Sequence, residues 1–464
     1  MKEAHAVRNA PKNLVPLCPS EPLNAAPTHT RYRVVAFTLV MVAVAYLDRV
    51  CIGTAAPAMK HDLGLSDTQM GLVFSAFTLA YALFEVPSGW FADRYGARIA
   101  LTRIVIWWSA MTAATGWALG FVSLFVVRLL FGMGEAGAFP ASARVYARWL
   151  PTNLRGRLFG LLIMAAALAG ALTQPLVVTL LELVGWRHTF AIFGGVGIVW
   201  AAAWWWWFRD DPREHSHVNA AELRVIADGG ADTREPHSSV QWRLLFQSRT
   251  LIAVCFMYGG ALYGWYFYLT WLPTYLLRAR GFDLKQVGWL AALPLLAIAA
   301  GVFIGGWLSD LLTHRWGPRL GRRTPGIIGL PLAALAAVGA VVTPNPFISA
   351  LLLAAAAGLA ALGVAPAWAV CLEIGGQHAG VVSGCMNMVG NLGGALSPVV
   401  VGICVDRWNS WQAPLFSVAL FYLMAAACWL AIDPEQKIEP AVISTAVETS
   451  GDVKALSHPR SSRL

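Results

Sequence analysis

Residues 34–57 read VVAFTLVMVAVAYLDRVCIGTAAP. At ~1.5 Å rise per residue this run crosses the hydrocarbon core of a bilayer as one helix. It is apolar except for Asp48 and Arg49, an acid and a base set side by side. A charge at membrane depth costs at least ~2.5–3.5 kcal/mol on insertion scales, so it rarely stands without a partner or a task. Two readings are open: a structural ion pair, or a site that binds or moves a charged solute.

The rest of the composition extends the membrane reading. Of 464 residues, 57% are hydrophobic and 13% charged, where a soluble chain carries about 25% charged residues. The net charge of +9 reads as basic cytoplasmic loops. No basic patch interleaved with aromatics is present, so nucleic acid is not an expected partner. Six of the seven cysteines fall within apolar runs and none forms a CxxC, so no disulfide framework is legible. The first ~30 residues lack the short apolar stretch and cleavage site of a signal peptide and read as a disordered cytoplasmic tail.

Apolar runs recur near 34–57, 69–91, 99–119, 121–147, 158–181 and 188–208, then near 250–277, 286–312, 326–343, 347–371, 380–404 and 412–432. These predict twelve spans in two groups of six: a tail over 1–32, a bundle over 33–208, a linker over 209–249, a bundle over 250–432 and a tail over 433–464. With the N-terminus inside, the inner loops hold Arg94, Arg98, Arg103, Arg144, Arg148, Arg155, Arg157, Arg315, Arg319, Arg322 and Arg323. The outer loops hold Lys60, Arg187, Arg278, Arg280, Lys285 and Arg407. That asymmetry predicts that both termini are cytoplasmic. Trp204 to Trp207 then read as part of the inner aromatic belt.

The two groups are related. Gly89-Trp90-Phe91-Ala92-Asp93 recurs as Gly306-Trp307-Leu308-Ser309-Asp310, and Gly137-Ala138-Phe139-Pro140 as Gly363-Val364-Ala365-Pro366. Gly170-Ala171-Leu172-Thr173 with Pro175 recurs as Gly394-Ala395-Leu396-Ser397 with Pro398. A duplicated six-span unit is the architecture of a rocking-bundle transporter, with its substrate held near midplane between halves.

The fourth span adds Arg128 and Glu135, two turns apart on one helical face. Asp48 lies roughly 21 Å above the inner start of its span, and Arg128 reaches a similar level from the outer side. Asp48, Arg49, Arg128 and Glu135 are therefore expected to face a common cavity and to sum to zero charge. An anion held by paired guanidinium groups leaves excess negative charge beside the two acids, which favours their protonation. Anion and proton affinities are then linked, the thermodynamic core of symport. Two carboxylates beside arginines suit protons better than sodium, although the sequence does not fix the cation. Tyr46, Tyr81, Tyr263, Tyr266, Tyr268, Asn387 and Asn391 stand where they can reach a substrate, with packing as the plain alternative. Glu85 reads as a partner of loop arginines, and His215 and His217 as weak metal candidates.

Gly89-Trp90-Phe91-Ala92-Asp93-Arg94-Tyr95-Gly96-Ala97-Arg98 resembles the signature loop between spans two and three of the major facilitator superfamily. Tyr46-Leu47-Asp48-Arg49, Arg128 through Glu135, Asp211-Pro212-Arg213-Glu214-His215 and Asn387-Met388-Val389-Gly390-Asn391 resemble patterns of its anion:cation symporter family, and within it of bacterial proton-coupled sugar-acid transporters. The resemblance covers about 31–432. It implies an all-α membrane protein of twelve transmembrane helices in two pseudo-symmetric six-helix bundles. It also implies that Arg49 and Arg128 bind a carboxylate, that Asp48 and Glu135 are the protonatable pair, and that Tyr46, Tyr81 and Asn391 contact substrate. Gly89, Asp93, Arg94, Gly96 and Arg98 would form a conformational latch. Three departures stand out: Ala97 replaces a basic residue, Ala379 stands where Arg155 should repeat, and Gln174 occupies a position expected to be small. Members carry hexuronates, glucarate, galactonate, tartrate, phthalate and other acids, and no residue here selects among them.

The expectation is thus a secondary transporter that takes up a small organic anion with a proton, works as a monomer, and resides in a bacterial inner membrane. No P-loop, GxSxG or HExxH occurs; neither enzymatic activity, cofactor nor metal is expected. The rival readings are a proton-coupled exporter on the same fold and a transporter-like receptor. Leu176-Val177-Val178 after Gln174-Pro175 lacks the further glycines usual in such exporters.

Overall fold

Ser66 and Asp283 open two long helices in the same manner. Each side chain accepts the backbone N–H three residues on, and the glutamine found there, Gln69 or Gln286, accepts the cap residue's own N–H in return. The displacement that relates Gly89 to Gly306 also relates these two caps, so the internal repeat extends to how the helices begin.

The computed structural model describes residues 26–227, 245, 247–376 and 379–437. Among the described residues there is no β-strand. The helices run α1 (Thr30–Leu63), α2 (Asp67–Tyr95), α3 (Ala97–Thr115), α4 (Phe121–Glu135), α5 (Ala138–Trp149), α6 (Thr152–Trp207), α7 (Ala220–Ala227), α8 (Arg249–Thr270), α9 (Leu272–Arg278), α10 (Leu284–Trp316), α11 (Pro318–Val342), α12 (Pro346–Ala361), α13 (Val364–Gly375), α14 (Ala379–Trp408) and α15 (Gln412–Ala431). Among the described residues, ten helical stretches are long and apolar enough to cross a membrane. One of them, Leu154–Trp207, turns at Gly185 (φ 74°, ψ 168°) and makes two spans. With α3, 19 residues long, the ten become twelve, arranged as two pseudo-symmetric six-helix bundles. Large apolar side chains such as Leu119, Phe303 and Leu335 point outward, where acyl chains take the place of water.

The halves meet along two symmetry-related seams, α2 with α14 and α10 with α6. At the first, Gly71 lies so close to the Pro398 carbonyl that a Cβ would collide with it; at the second, Gly288 meets Pro175 and Val178. Small residues here let backbones approach. One end of the first seam is fastened by charge. Asp406 accepts the Asp67 and Thr68 amides at 3.0 and 2.6 Å, where α2 begins. Arg278 reaches both oxygens of Asp67 at 2.9 Å, and Lys60 also pairs with Asp67. From there the hydrogen bonds between halves pass through Ser75–Ala395 to Asn387–Glu85.

The segment after α6 ties down the start of α1. Glu222 of α7 accepts the Thr30 and Arg31 amides at 3.0 and 2.9 Å and the Thr28 hydroxyl. Burial alone would raise its pKa; these hydrogen bonds outweigh it and hold the carboxyl below the usual glutamate range. The tryptophan run divides its work. Trp205 and Trp206 face outward, as a belt requires, but Trp204 is buried between Trp200 and Phe208, and Trp207 stacks on Phe37. Consecutive residues on a helix point ~100° apart, so four in a row cannot all face lipid. His215 packs edge-on against Trp149 and Trp207, and no metal-holding cluster occurs among the described residues.

Candidate functional site

Asp48 and Arg49 are adjacent in sequence and diverge in space. The ~100° between neighbouring helical positions turns Arg49 toward the space between the halves and Asp48 into the first bundle. Arg49 Nη2 donates to Glu135 Oε1 at 2.7 Å, joining α1 to α4. The rings of Tyr81, Tyr46 and Phe77 surround the same guanidinium at 4.9, 5.1 and 5.1 Å. This cage holds a cation in a dry setting while leaving donors available for an anion.

Arg128 shares one wall of that cage. Its guanidinium lies 4.1 Å from the Phe131 ring centroid and 5.4 Å from that of Phe77. It is 1% exposed, and its Nε and Nη1 make no hydrogen bond to another described residue. Asp48 is 0% exposed, and neither of its oxygens is bonded within the described residues. Glu135 and Arg128 are its charged neighbours, and the Thr112 hydroxyl, itself without another partner among the described residues, is the donor nearest to it. A buried polar atom left unbonded costs ~1–3 kcal/mol, so this group of unpaired atoms points to use rather than packing.

The opposite wall comes from the second half. Tyr266 of α8, an electrostatic neighbour of Arg49, donates to Asn391 Oδ1 at 2.9 Å. Asn391 Nδ2 bonds the Asn387 carbonyl one turn away, and Asn387 Nδ2 donates to both Glu85 oxygens at 2.7 Å. Gly394 and Gly390 face Tyr266 and Tyr258 so closely that neither has room for a Cβ.

The structure therefore gathers Tyr46, Arg49, Tyr81, Arg128 and Glu135 in one place, sets Asp48 behind them, and brings Asn391 toward them through Tyr266. One expectation needs correction: Glu85 pairs with Asn387 across the seam instead of with loop arginines. Glu135 takes its ion pair from Arg49 of α1, not from Arg128 of its own helix. Sequence reasoning missed Phe77 and Thr112 as parts of the site; each reads as ordinary packing until its neighbours are known. Of the three span-seven tyrosines it offered, Tyr266 is the one that meets Asn391 and Arg49. Gln174 was marked only as a departure. It is buried, accepts the Thr54 hydroxyl and leaves its own Nε2 unbonded.

The expected latch residues lie at the far end of α2. The Asp93 side chain lies outside the described residues. Gly89 lies against Pro140, Arg94 lies over Trp90 and Tyr95, and Gly96 (φ 89°) leaves room for Asp210. Asp210 accepts the Ala97 and Arg98 amides at 2.7 and 3.1 Å, capping α3, while Arg98 Nε donates to the Trp205 carbonyl. In the second half Arg322 joins Asp310, Ser309 and Glu373 at 2.6, 3.1 and 2.7 Å, so that end carries an ion network even with Ala379 in place of an arginine.

The family model of the Major Facilitator Superfamily matches residues 38–398 and again 281–463. The chain belongs to this superfamily. Its members are membrane transporters, and this chain is a multi-pass membrane protein of that kind. It is 36% identical over 408 residues to the probable sulfoacetate transporter SauU of Cupriavidus necator, covering 87% of this chain and 94% of that one. It is 32% identical over 423 residues to the D-galactonate transporter of Escherichia coli, covering 88% and 95%. Among solved structures, a bacterial homologue of the human lysosomal transporter Spinster in an inward-facing, unoccupied conformation superposes with a TM-score of 0.74 at 21% identity. That match covers 89% of this chain and 99% of the other, and it shows the superfamily's fold.

Proposed function

We propose that the protein is a secondary transporter that takes up a small organic anion, most closely a sugar acid or similar carboxylate, together with a proton. The observation that carries this is Arg49, a buried guanidinium in an aromatic cage whose one ion-pair partner is Glu135. An arriving carboxylate competes with Glu135 for Arg49, because both seek the same planar donors. Glu135, displaced into a dry site, is stabilised by taking a proton. Asp48, buried beside Arg128 with its oxygens unbonded, is the second proton site. Bound anion and bound proton therefore favour each other, and either alone leaves an unbalanced charge. The carboxylate of the galactonate transporter's named substrate fits the same chemistry.

In this reading residues 33–208 and 250–432 are bundles that rock about the site, joined by a cytoplasmic linker over 209–249 and flanked by cytoplasmic tails over 1–32 and 433–464. The basic loops put the Tyr95 end of α2 on the cytoplasmic side of a bacterial inner membrane. The Asp67–Asp406 fastening then closes the outer side, with access from within. Each monomer holds a complete site. The test is uptake into proteoliposomes of radiolabelled sugar acids, dicarboxylates and aromatic acids at several pH values. Accumulation of at least one acid under an inward proton gradient supports the reading; no pH-dependent uptake or counterflow of any acid overturns it.

A further inference from the structure

Glu85 is a third carboxylate at the space between the halves, and the coupling scheme does not use it. We infer that Glu85 determines specificity at the far end of the substrate, accepting a tail that carries hydrogen-bond donors and rejecting one that carries a second acid group. This inference rests on the anion-transport reading.

Glu85 stands one helical turn beyond Tyr81, whose ring lies 4.9 Å from the Arg49 guanidinium. An anion seated on Arg49 and extending along α2 reaches it within ~6 Å of axial rise. Glu85 is partly exposed. Its hydrogen-bond donor is a neutral amide, Asn387 Nδ2, at 2.7 Å from both oxygens. A neutral donor satisfies the oxygens without cancelling the charge, unlike the arginine that holds Glu135. Arg49 is the basic electrostatic neighbour of Glu85, but that guanidinium is already paired with Glu135. Tyr81 and Tyr258 are the aromatic neighbours of Glu85, and the Tyr258 hydroxyl accepts from Trp368 Nε1 at 3.3 Å. Hydroxyl or ammonium groups on a substrate tail can replace the Asn387 amide at these oxygens. A second carboxylate meets like charge in a low-dielectric wall, the repulsive element that specificity requires.

Glu85 could instead be only a fastener between α2 and α14, and the test separates the two roles. Competition against uptake is measured with acid pairs that differ only in whether the far end is hydroxymethyl or carboxylate: galactonate and galactarate, gluconate and glucarate, 4-hydroxybutyrate and succinate. The full-length protein in proteoliposomes is expected to prefer the monoacid by at least about ten-fold in every pair it takes up. Glu85→Gln keeps the size and an acceptor for Asn387 while removing the charge, and should bring the preference to within about three-fold. A fastener would change both members together and leave the ratio as it was. Equal uptake of the diacid by the wild type, or an unchanged ratio in Glu85→Gln, overturns this inference alone. Uptake of neither member of any pair, nor of any other acid, overturns the transport reading beneath it.

Discussion

Arg49 donates to Glu135 at 2.7 Å across α1 and α4, while Asp48, one residue earlier, has no ion pair among the described residues and only the Thr112 hydroxyl as a nearby donor. One arginine is thus paired in a cage of aromatic rings, and one buried acid is left with Arg128 as its basic neighbour. An anion that enters this arrangement must exchange partners with a protein carboxylate.

Arg49→Lys keeps the charge and gives up the planar fork and its stacking on Tyr46, Phe77 and Tyr81. Anion uptake should fall at least about a hundred-fold with little change in thermal stability, because the cage also accommodates an ammonium. Transport kinetics and a thermal melt of the purified variant check both halves of that statement.

Asp406→Ala removes two charge-assisted hydrogen bonds from the start of α2, each worth roughly 1.5–3 kcal/mol. With Arg278 and Lys60 still on Asp67, the fold should persist while the seam opens more often at that end. A cysteine placed at Ser75, which is 9% exposed, should then react several-fold faster with a membrane-impermeant maleimide. An unchanged rate means that Asp406 does not hold that end closed.

Glu222 gives a pH dependence outside the membrane. Its carboxyl lies below the usual glutamate range in the folded protein, so its stabilisation of the α1 start is present above an unfolded value of ~4.3. That stabilisation is lost as pH falls through the folded value. Hydrogen exchange at the Thr30 and Arg31 amides should accelerate on acidification through this range beyond its intrinsic pH trend. Glu222→Gln should remove that excess and raise exchange at neutral pH.

Much of this was legible in the chain because a membrane makes charge conspicuous. Asp48, Arg49, Arg128 and Glu135 each interrupt an apolar run, and the repeats of Gly89 and Gly137 expose the duplicated bundles. Glu85 interrupts a run in the same way, yet its partner lies 302 residues away; proximity to basic loops in sequence pointed elsewhere. The cap that Asp210 supplies to α3 is likewise distant in sequence, 113 residues from the Ala97 amide it meets. Phe77 and Thr112 carry no signal at all, since an aromatic or a threonine in a span is ordinary until its neighbours are known. The pairing of Glu135 with Arg49 instead of Arg128 depends on how α1 and α4 cross, which periodicity does not contain.

The most direct measurement is transport by Glu135→Gln in proteoliposomes, with an acid that the wild type accumulates. Glutamine preserves a hydrogen-bond acceptor for Arg49 but cannot take up a proton. Counterflow exchange should persist while accumulation driven by an inward proton gradient disappears. Accumulation at the wild-type level would contradict this and remove Glu135 from the coupling.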